Sequence, residues 1–256
     1  MAHPHVHVPY DLIGNHLDFI KLHRVNLEIF FSADVLDTLK QSDVRYLSEQ
    51  LDYDPSLTIH APFMDLSPGA VDPRVRTITV ERFSQIFDIA SVLKPKVIVF
   101  HSGYEKWKYA LKADLWLENS LLTWKELLKR TAGLEVKIAI ENVFEDTPEN
   151  LRLLMEAVQS DHFGICFDSG HFNLFSKVSL GEWLNQLKPY ILELHLHDNR
   201  GSADDHLAMG EGSFDFGTLF SILNDCKPIY TIEAHSKEGV LKSIERLNQL
   251  LSVRSR

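Results

Sequence analysis

The feature that most restricts the fold of this chain is a rhythm. Short runs rich in Val, Ile, Leu and Phe alternate with segments of helical periodicity from one end to the other. His5–Val8, Val25–Phe31, Leu57–His60, Lys96–His101, Val136–Glu141, Phe163–Asp168, Tyr190–His197 and Ile229–Glu233 read as strands. Between and after them lie helical segments: Asp11–His23, a stretch capped by Ser32 or Asp34 and running to Leu51, Arg76–Leu93, and Asp114–Thr131, which Gly133 closes. A helix opening at Pro148, then Ser179–Leu187, Phe216–Asp225 and Val240–Leu251, complete the series. Eight strands and eight helices in 256 residues, with no linker or low-complexity segment, predict an α/β chain folded as a single (β/α)8 TIM barrel, one domain over residues 1–256. No GxGxxG follows the first strand and there is no P-loop, which disfavours an open doubly wound sheet.

Composition narrows the partners. A formal charge of −10 argues weakly against a broad nucleic-acid face. The two cysteines, Cys166 and Cys226, are far apart and lack metal-like spacing, which fits a reducing compartment. The N-terminal stretch lacks a basic region followed by an apolar core, and no apolar run reaches membrane-spanning length. The expectation is a cytoplasmic protein without a membrane partner. Nothing in the sequence fixes an oligomeric state.

Histidine is the departure from an ordinary composition: 13 residues, several at strand ends. Predicted strands three to eight finish at His60, His101, Glu141, Asp168, His195/His197 and Glu233. In a (β/α)8 barrel those ends form one rim, where such folds place their chemistry. Side-chain parity agrees. Ile98 and Phe100 alternate away from His101, Ile138 and Ile140 away from Glu141, and Ile165 and Phe167 away from Asp168. Leu192, Leu194 and Leu196 likewise oppose Glu193, His195 and His197. A lone histidine at a strand end is more often structural than a ligand, and a lone carboxylate more often caps a helix. Several carboxylates converging on one low-dielectric mouth repel one another, and a divalent cation is the simplest compensation. Oxygen and imidazole donors without thiolate point to zinc or manganese, with magnesium, cobalt or iron as alternatives, at one to three ions per chain.

Other features carry less. His171, three residues after Asp168, leans toward the same mouth on this reading, and Asp204-x-His206 is a short chelating pair before the flexible Gly210-Glu211-Gly212 turn. Arg200, just past the seventh strand, reads equally as a contact for a substrate phosphate or carboxylate and as a solvated loop arginine. Tyr104, Lys106, Trp107 and Lys108 form a basic-aromatic loop for which a lid or core contact is the commoner fate. His3, His5 and His7 read as an exposed N-terminal tract. Trp116, Trp124 and Trp183 read as core.

Taken together, HAPF at 60–63, FHSG at 100–103, IEN at 140–142, DSGH at 168–171, HLHDN at 195–199, DDHLAMGEG at 204–212 and TIE at 231–233 resemble the xylose isomerase-like barrels. That superfamily includes the sugar phosphate isomerases/epimerases and AP endonuclease family 2 (endonuclease IV). The resemblance covers nearly the whole chain and implies metal ligation by Glu141, Asp168, His195 and Glu233. In the endonuclease branch His60 and His101 would bind a second metal bridged by Glu141, and His171, Asp204 and His206 a third. Phe63 stands where that branch usually has Tyr, and HLHDN replaces its HLNDS. The texture of ENVFEDTPENL and FDSGHFNLFSK is closer to the isomerase/epimerase group. Well-studied ketose epimerases carry another Glu six residues after the position of Glu141; Thr147 stands there, and Glu145 is the nearest carboxylate.

Two functions follow. The first is a metal-dependent isomerase or epimerase of a small sugar, sugar phosphate or related polyol, with Glu141 and Glu233 as the proton-transfer pair and His171, Arg200 and His197 binding substrate. The alternative is a multinuclear hydrolase of the endonuclease IV type cleaving phosphodiesters such as abasic-site DNA; nucleic acid is a partner only in that case.

Overall fold

The computed structural model describes residues 3–253. Eight parallel strands close in sequence order into one barrel. They are β1 (His5–Pro9), β2 (Asn26–Phe30), β3 (Leu57–His60), β4 (Val97–His101), β5 (Lys137–Glu141), β6 (Phe163–Asp168), β7 (Ile191–Leu196) and β8 (Ile229–Ile232). Around them lie α1 (Tyr10–His23), α2 (Ala33–Thr38), α3 (Gln41–Gln50), α4 (Pro73–Leu93), α5 (Ala113–Leu127), α6 (Glu149–Val158), α7 (Ser169–Phe175), α8 (Leu180–Leu187), α9 (Phe216–Ile222) and α10 (Lys237–Val253). The predicted (β/α)8 barrel is the observed fold. Among the described residues no helix is long and apolar enough to cross a membrane.

The barrel forms because β4, β5 and β6 turn large apolar residues outward. Ile98, Phe100, Ile138, Ile140, Ile165 and Phe167 are fully buried under the helices. Phe100 packs against Phe83 at 4.6 Å and Trp124 at 5.6 Å between ring centroids, and Phe167 meets Trp183 at 6.1 Å. Trp116, Trp124 and Trp183 are all core, as their helical context implied. Inside the barrel, Val97, Val99, Ala139 and Cys166 form a separate small apolar cluster with Leu192 and Ile229.

The structure corrects the sequence reading in several places. The helix expected to run to Leu51 is two, α2 and α3: Leu39 is extended, and the Asp43 carboxylate accepts the Lys40 backbone N–H at 3.0 Å, capping a new start. Pro148 precedes α6 instead of opening it. The segment expected as helix to Thr131 ends as a 3-10 turn over 128–131. A helix that the periodicity did not reveal, α7, begins directly after Asp168, whose carboxylate accepts from the His171 N–H at 2.6 Å.

The strict alternation expected along β7 also breaks. Ile165 pairs with Ile191 and Cys166 with Glu193, so Leu192 is the extra residue of a bulge and turns inward beside Glu193. Gly164 makes the bulge feasible: a Cβ there would lie 2.4 Å from the Tyr190 carbonyl oxygen and 2.6 Å from Leu192 Cγ.

Gly164→Ala should therefore lower unfolding free energy by about 1–3 kcal/mol in urea denaturation, because backbone blocks the added methyl. Gly14→Ala, inside α1 with nothing within 4 Å of its Cβ position, should instead raise it by about 0.5–1 kcal/mol.

Candidate metal centre and catalytic mouth

The centre is built around the imidazole of His195 at the end of β7, which is wholly buried. Its Nδ1 lies 3.3 Å from Glu233 Oε1, 3.6 Å from Glu141 Oε2 and 3.8 Å from Asp168 Oδ2. That nitrogen has no hydrogen-bond partner among the described residues. Donors about 2.1 Å from a tetrahedral ion stand about 3.4 Å from one another, so this spacing suits a shared cation better than direct hydrogen bonds. The other nitrogen, Nε2, is 3.1 Å from Glu28 Oε2. Glu28 thereby holds the proton on Nε2 and leaves the Nδ1 lone pair facing the carboxylates.

The neighbouring histidines repeat that arrangement. His60 sets Nδ1 against the Ala61 carbonyl at 2.9 Å and turns Nε2 to Glu141 Oε2 at 3.1 Å. His101 Nε2 approaches the same oxygen at 3.4 Å. His171 Nδ1 lies 2.9 Å from Glu141 Oε1 and 3.1 Å from the Asn142 carbonyl, and His206 sets Nδ1 against the Glu233 carbonyl at 3.2 Å. Their Nε2 atoms then face Asp204 Oδ2 at 3.5 and 3.2 Å. Three His/carboxylate groupings thus share one mouth, and all nine residues of the sequence-derived set are brought to it.

Local structure explains the convergence. Asn142 ties β5 to β6, donating to the Asp168 carbonyl at 3.0 Å and accepting the Asp168 N–H at 2.8 Å. Buried Asp198 gathers the loop after β7 by accepting from the N–H groups of Asn199, Gly210, Gly212 and Phe214. A Cβ at Gly212 would lie 2.3 Å from Asp198 Oδ1, so the glycine permits the fold-back that presents Asp204 and His206. Gly170 has the same role beneath His197, whose ring a Cβ would meet at 2.0 Å. His197 bonds Asp168 at 3.0 Å and stacks on His206 at 4.0 Å, which in turn stacks on His235 at 4.5 Å.

A cavity of about 770 Å³ opens above the centre, lined by Phe30, Phe63, Tyr104 and Lys108 as well as His60, His101, Glu141, His171 and Glu233. Asp168, His195 and His197 lie beneath its floor with no exposure. Arg200 is solvent-exposed and does not line the cavity. Of the basic-aromatic loop, Lys106 pairs with Asp146 at 2.5 Å and Trp107 projects outward, 69% exposed. Glu145 is not a stand-in at the mouth. It is buried, accepting from Ser102 Oγ at 2.5 Å and the Val143 N–H at 2.6 Å, and burial raises its carboxyl above the usual range.

Of the N-terminal histidines, His3 is exposed as the composition suggests, but His5 and His7 are not. His5 is buried against Thr58 Oγ1 at 3.1 Å, and His7 bridges Glu28 at 2.9 Å and Glu233 at 3.0 Å. Glu28, Thr58 and Thr231, which the sequence reading missed, complete a polar network with Glu193 inside the barrel. The parity rule applied to β4–β6 would have found it: Leu27 and Ile29 flank Glu28, and Val6 and Val8 alternate with His5 and His7.

The charges compensate one another. Burial alone would neutralise Glu141 and Glu233, yet the surrounding imidazoles hold both well below the usual carboxylate range. Burial would likewise lower His195 and His171, but the carboxylates facing them hold both well above. The same balance puts His7 at about 10, where Glu233 and Glu28 overcome burial, and Glu28 at about 2, where His195 and His7 do so. A divalent cation bound here would therefore compete with protons for the same atoms.

Glu193 is the exception: burial and the Glu28 charge push its carboxyl up to about 8 from an ordinary 4.5. The folded chain keeps this proton where the unfolded chain has lost it. Its stability contribution is present in acid and is lost as pH rises from about 4.5 through about 8. Glu193→Gln, which retains an acceptor for Thr58 and Thr231, should show a smaller loss of unfolding free energy between about pH 5 and about pH 9 than the parent chain.

Comparison with known proteins agrees with this architecture. The family profile described as xylose isomerase-like TIM barrel matches residues 21–250. An uncharacterized protein of Methanocaldococcus jannaschii is 31% identical over 225 residues, covering 84% of this chain and 77% of that protein. A solved structure of a D-tagatose 3-epimerase-like protein superposes with a TM-score of 0.83 at 27% identity over 98% of both chains. A Thermus thermophilus protein whose crystals were soaked with ZnCl2 superposes with a TM-score of 0.81 at 26% identity, covering 97% of this chain and 98% of that one.

Proposed function

The chain belongs to the xylose isomerase-like TIM barrel family, and from that membership we propose that it is a divalent-metal-dependent isomerase or epimerase of a small sugar, sugar phosphate or related polyol. The observation that carries the reading is the unpartnered His195 Nδ1 set among Glu141, Asp168 and Glu233 and oriented from behind by Glu28. These four ligands fit zinc or manganese, in line with the zinc-soaked relative. Bound there, a cation would supply Lewis acidity to vicinal substrate oxygens and so acidify the carbon-bound proton between them.

The chain's own groups do the rest. Glu141 ends β5 and Glu233 follows β8, so their carboxylates approach the mouth from opposite parts of the wall. One takes the proton from carbon, and the other, first given a proton by a neighbouring imidazolium, delivers one to the opposite face. Both are held ionised by their histidine neighbours, as a base requires. The aromatic wall of Phe30 and Phe63 offers a face for the carbon side of a sugar, and a cavity of about 770 Å³ falls within the range of small-ligand sites. His171 and His197 border the proton-transfer pair as orienting groups. Arg200, exposed outside the cavity, is a contact only for a substrate part that projects beyond it.

One observation favours a second reading. His60, His101 and Glu141 stand close enough to share an ion, and separately His171 and His206 face Asp204 through Nε2 at 3.5 and 3.2 Å, which gives the mouth capacity for more than one ion. Several cations in one mouth suit phosphodiester hydrolysis of the endonuclease IV type.

The two readings separate in heavy water. Metal-loaded protein incubated in D2O with a panel of ketoses and sugar phosphates should place one deuterium at the epimerised or isomerised carbon, seen by mass spectrometry. Glu141→Gln and Glu233→Gln should each slow this by about 10²–10⁴-fold. Cleavage of abasic-site DNA or bis(p-nitrophenyl) phosphate without deuterium incorporation would overturn the isomerase in favour of the hydrolase.

A further inference from the structure

A second cavity, of about 430 Å³, lies at the seam where β1 meets β8. β1 pairs with β2 over five positions but with β8 over only two, His5 with Thr231 and Val6 with Ile232. Beyond Val6 and Ile232 the strands part, and the opening falls at the end of the barrel that carries the metal centre. α1 and α10 do not fill the gap. Leu12, Phe19 and Ile20 of α1 line one wall and Val240 of α10 the other, with Val8 and Leu27 beneath.

Three features distinguish this space from a packing fault. Its volume is well beyond the ~150 Å³ of an apolar cavity that accepts a benzene ring, whereas well-packed cores leave few voids larger than a water. It contains a polar group in want of a partner: His16 Nδ1 is buried and makes no hydrogen bond among the described residues. It also adjoins the mouth: His7, Pro9, His206, Glu233 and His235 line both cavities. The His7–Glu233 contact at 3.0 Å forms the partition between them.

We propose that this cleft is a binding subsite for an apolar substituent of the substrate, an aryl or short alkyl group attached to the polyol whose oxygens meet the metal centre. The proposal rests on the isomerase/epimerase reading and deepens it: the substrate is a substituted polyol in preference to a free sugar. The polyol occupies the mouth, and its apolar arm passes over Pro9 and His235 into the seam. There it lies against Leu12, Phe19 and Val240, and His16 Nδ1 meets an oxygen or hydroxyl on the arm. The Lys237 ammonium, 5.4 Å from the centre of the Phe19 ring, borders the cleft and favours an electron-rich or anionic group at the arm's end.

The first test needs neither metal nor turnover. 4-Fluorobenzyl alcohol titrated into the full chain, followed by ¹⁹F NMR, should bind saturably. Binding should weaken at least tenfold in Val240→Phe, which fills the cleft, and stay unchanged in Glu141→Gln. Because a residue added at a buried position can unfold the chain, Leu12→Trp, at a side chain already 41% exposed, is the second filling variant and should weaken binding in the same direction. Absence of saturable binding, or binding that both variants leave intact, would overturn the subsite without touching the metal-centre reading. The second test compares benzyl and methyl glycosides on metal-loaded protein. Burial of the ring should make the benzyl compounds bind about 30-fold more tightly, and Val240→Phe should erase the difference. Equal affinities would overturn the assignment of the cleft to the substrate's arm. A parent protein that gives the fluorine signal but retains no added zinc or manganese would instead count against the metal-dependent isomerase.

Discussion

The hydrogen bond between Glu28 and His195 is the interaction on which the mouth depends. With Nε2 held by a buried carboxylate, His195 can offer only Nδ1 to the other side, where Glu141, Asp168 and Glu233 stand. Glu28 is itself fixed by His7, and His7 by Glu233, so the far rim of the centre is tied back to the first two strands. A ring of this kind orders ligands before an ion arrives, which reduces the reorganisation that binding would otherwise require. Val97, Val99, Ala139 and Cys166 fill the interior behind the strand ends of β4, β5 and β6 with apolar side chains.

Glycine positions serve the same end. Gly164 makes room for the bulge at Leu192, after which β7 regains the parity that points His195 inward. Gly170 lets the start of α7 lie against His197, and Gly212 lets the Asp198 carboxylate gather the loop that carries Asp204 and His206. Each removes a side chain where backbone and site approach closely. The geometry of the mouth thus rests on backbone shape as much as on the side chains that line it.

Much of this was legible from sequence, and the physical reason is period two. Where a strand carries large residues at one parity and small or ionisable ones at the other, as in Ile98–Phe100 against His101 or Ile138–Ile140 against Glu141, the inner face is read directly. The barrel and the convergence of its strand-end ligands followed from that rule. The misses occurred where another term dominated. Asp43 capping Lys40 split one expected helix into α2 and α3, and Asp168 capping α7 started a helix too short to show a period. The Leu192 bulge shifted a parity that depends on pairing with β6, which no single strand encodes. His5, His7 and Glu28 were within reach of the parity rule, but a histidine-rich terminus has the composition of a solvated tail. The cleft between α1 and α10 had no signal at all, because it arises from two strands parting at the seam.

The central claim is that these ligands exist to hold a divalent cation. Plasma mass spectrometry on protein purified without chelator, and again after addition of zinc or manganese and removal of excess, tests it most directly. The account predicts at least one equivalent of metal per chain in the parent protein and little or none in Glu141→Gln, since that carboxylate faces both His195 Nδ1 and His60 Nε2. A well-folded parent protein that retains no metal after either addition would contradict it.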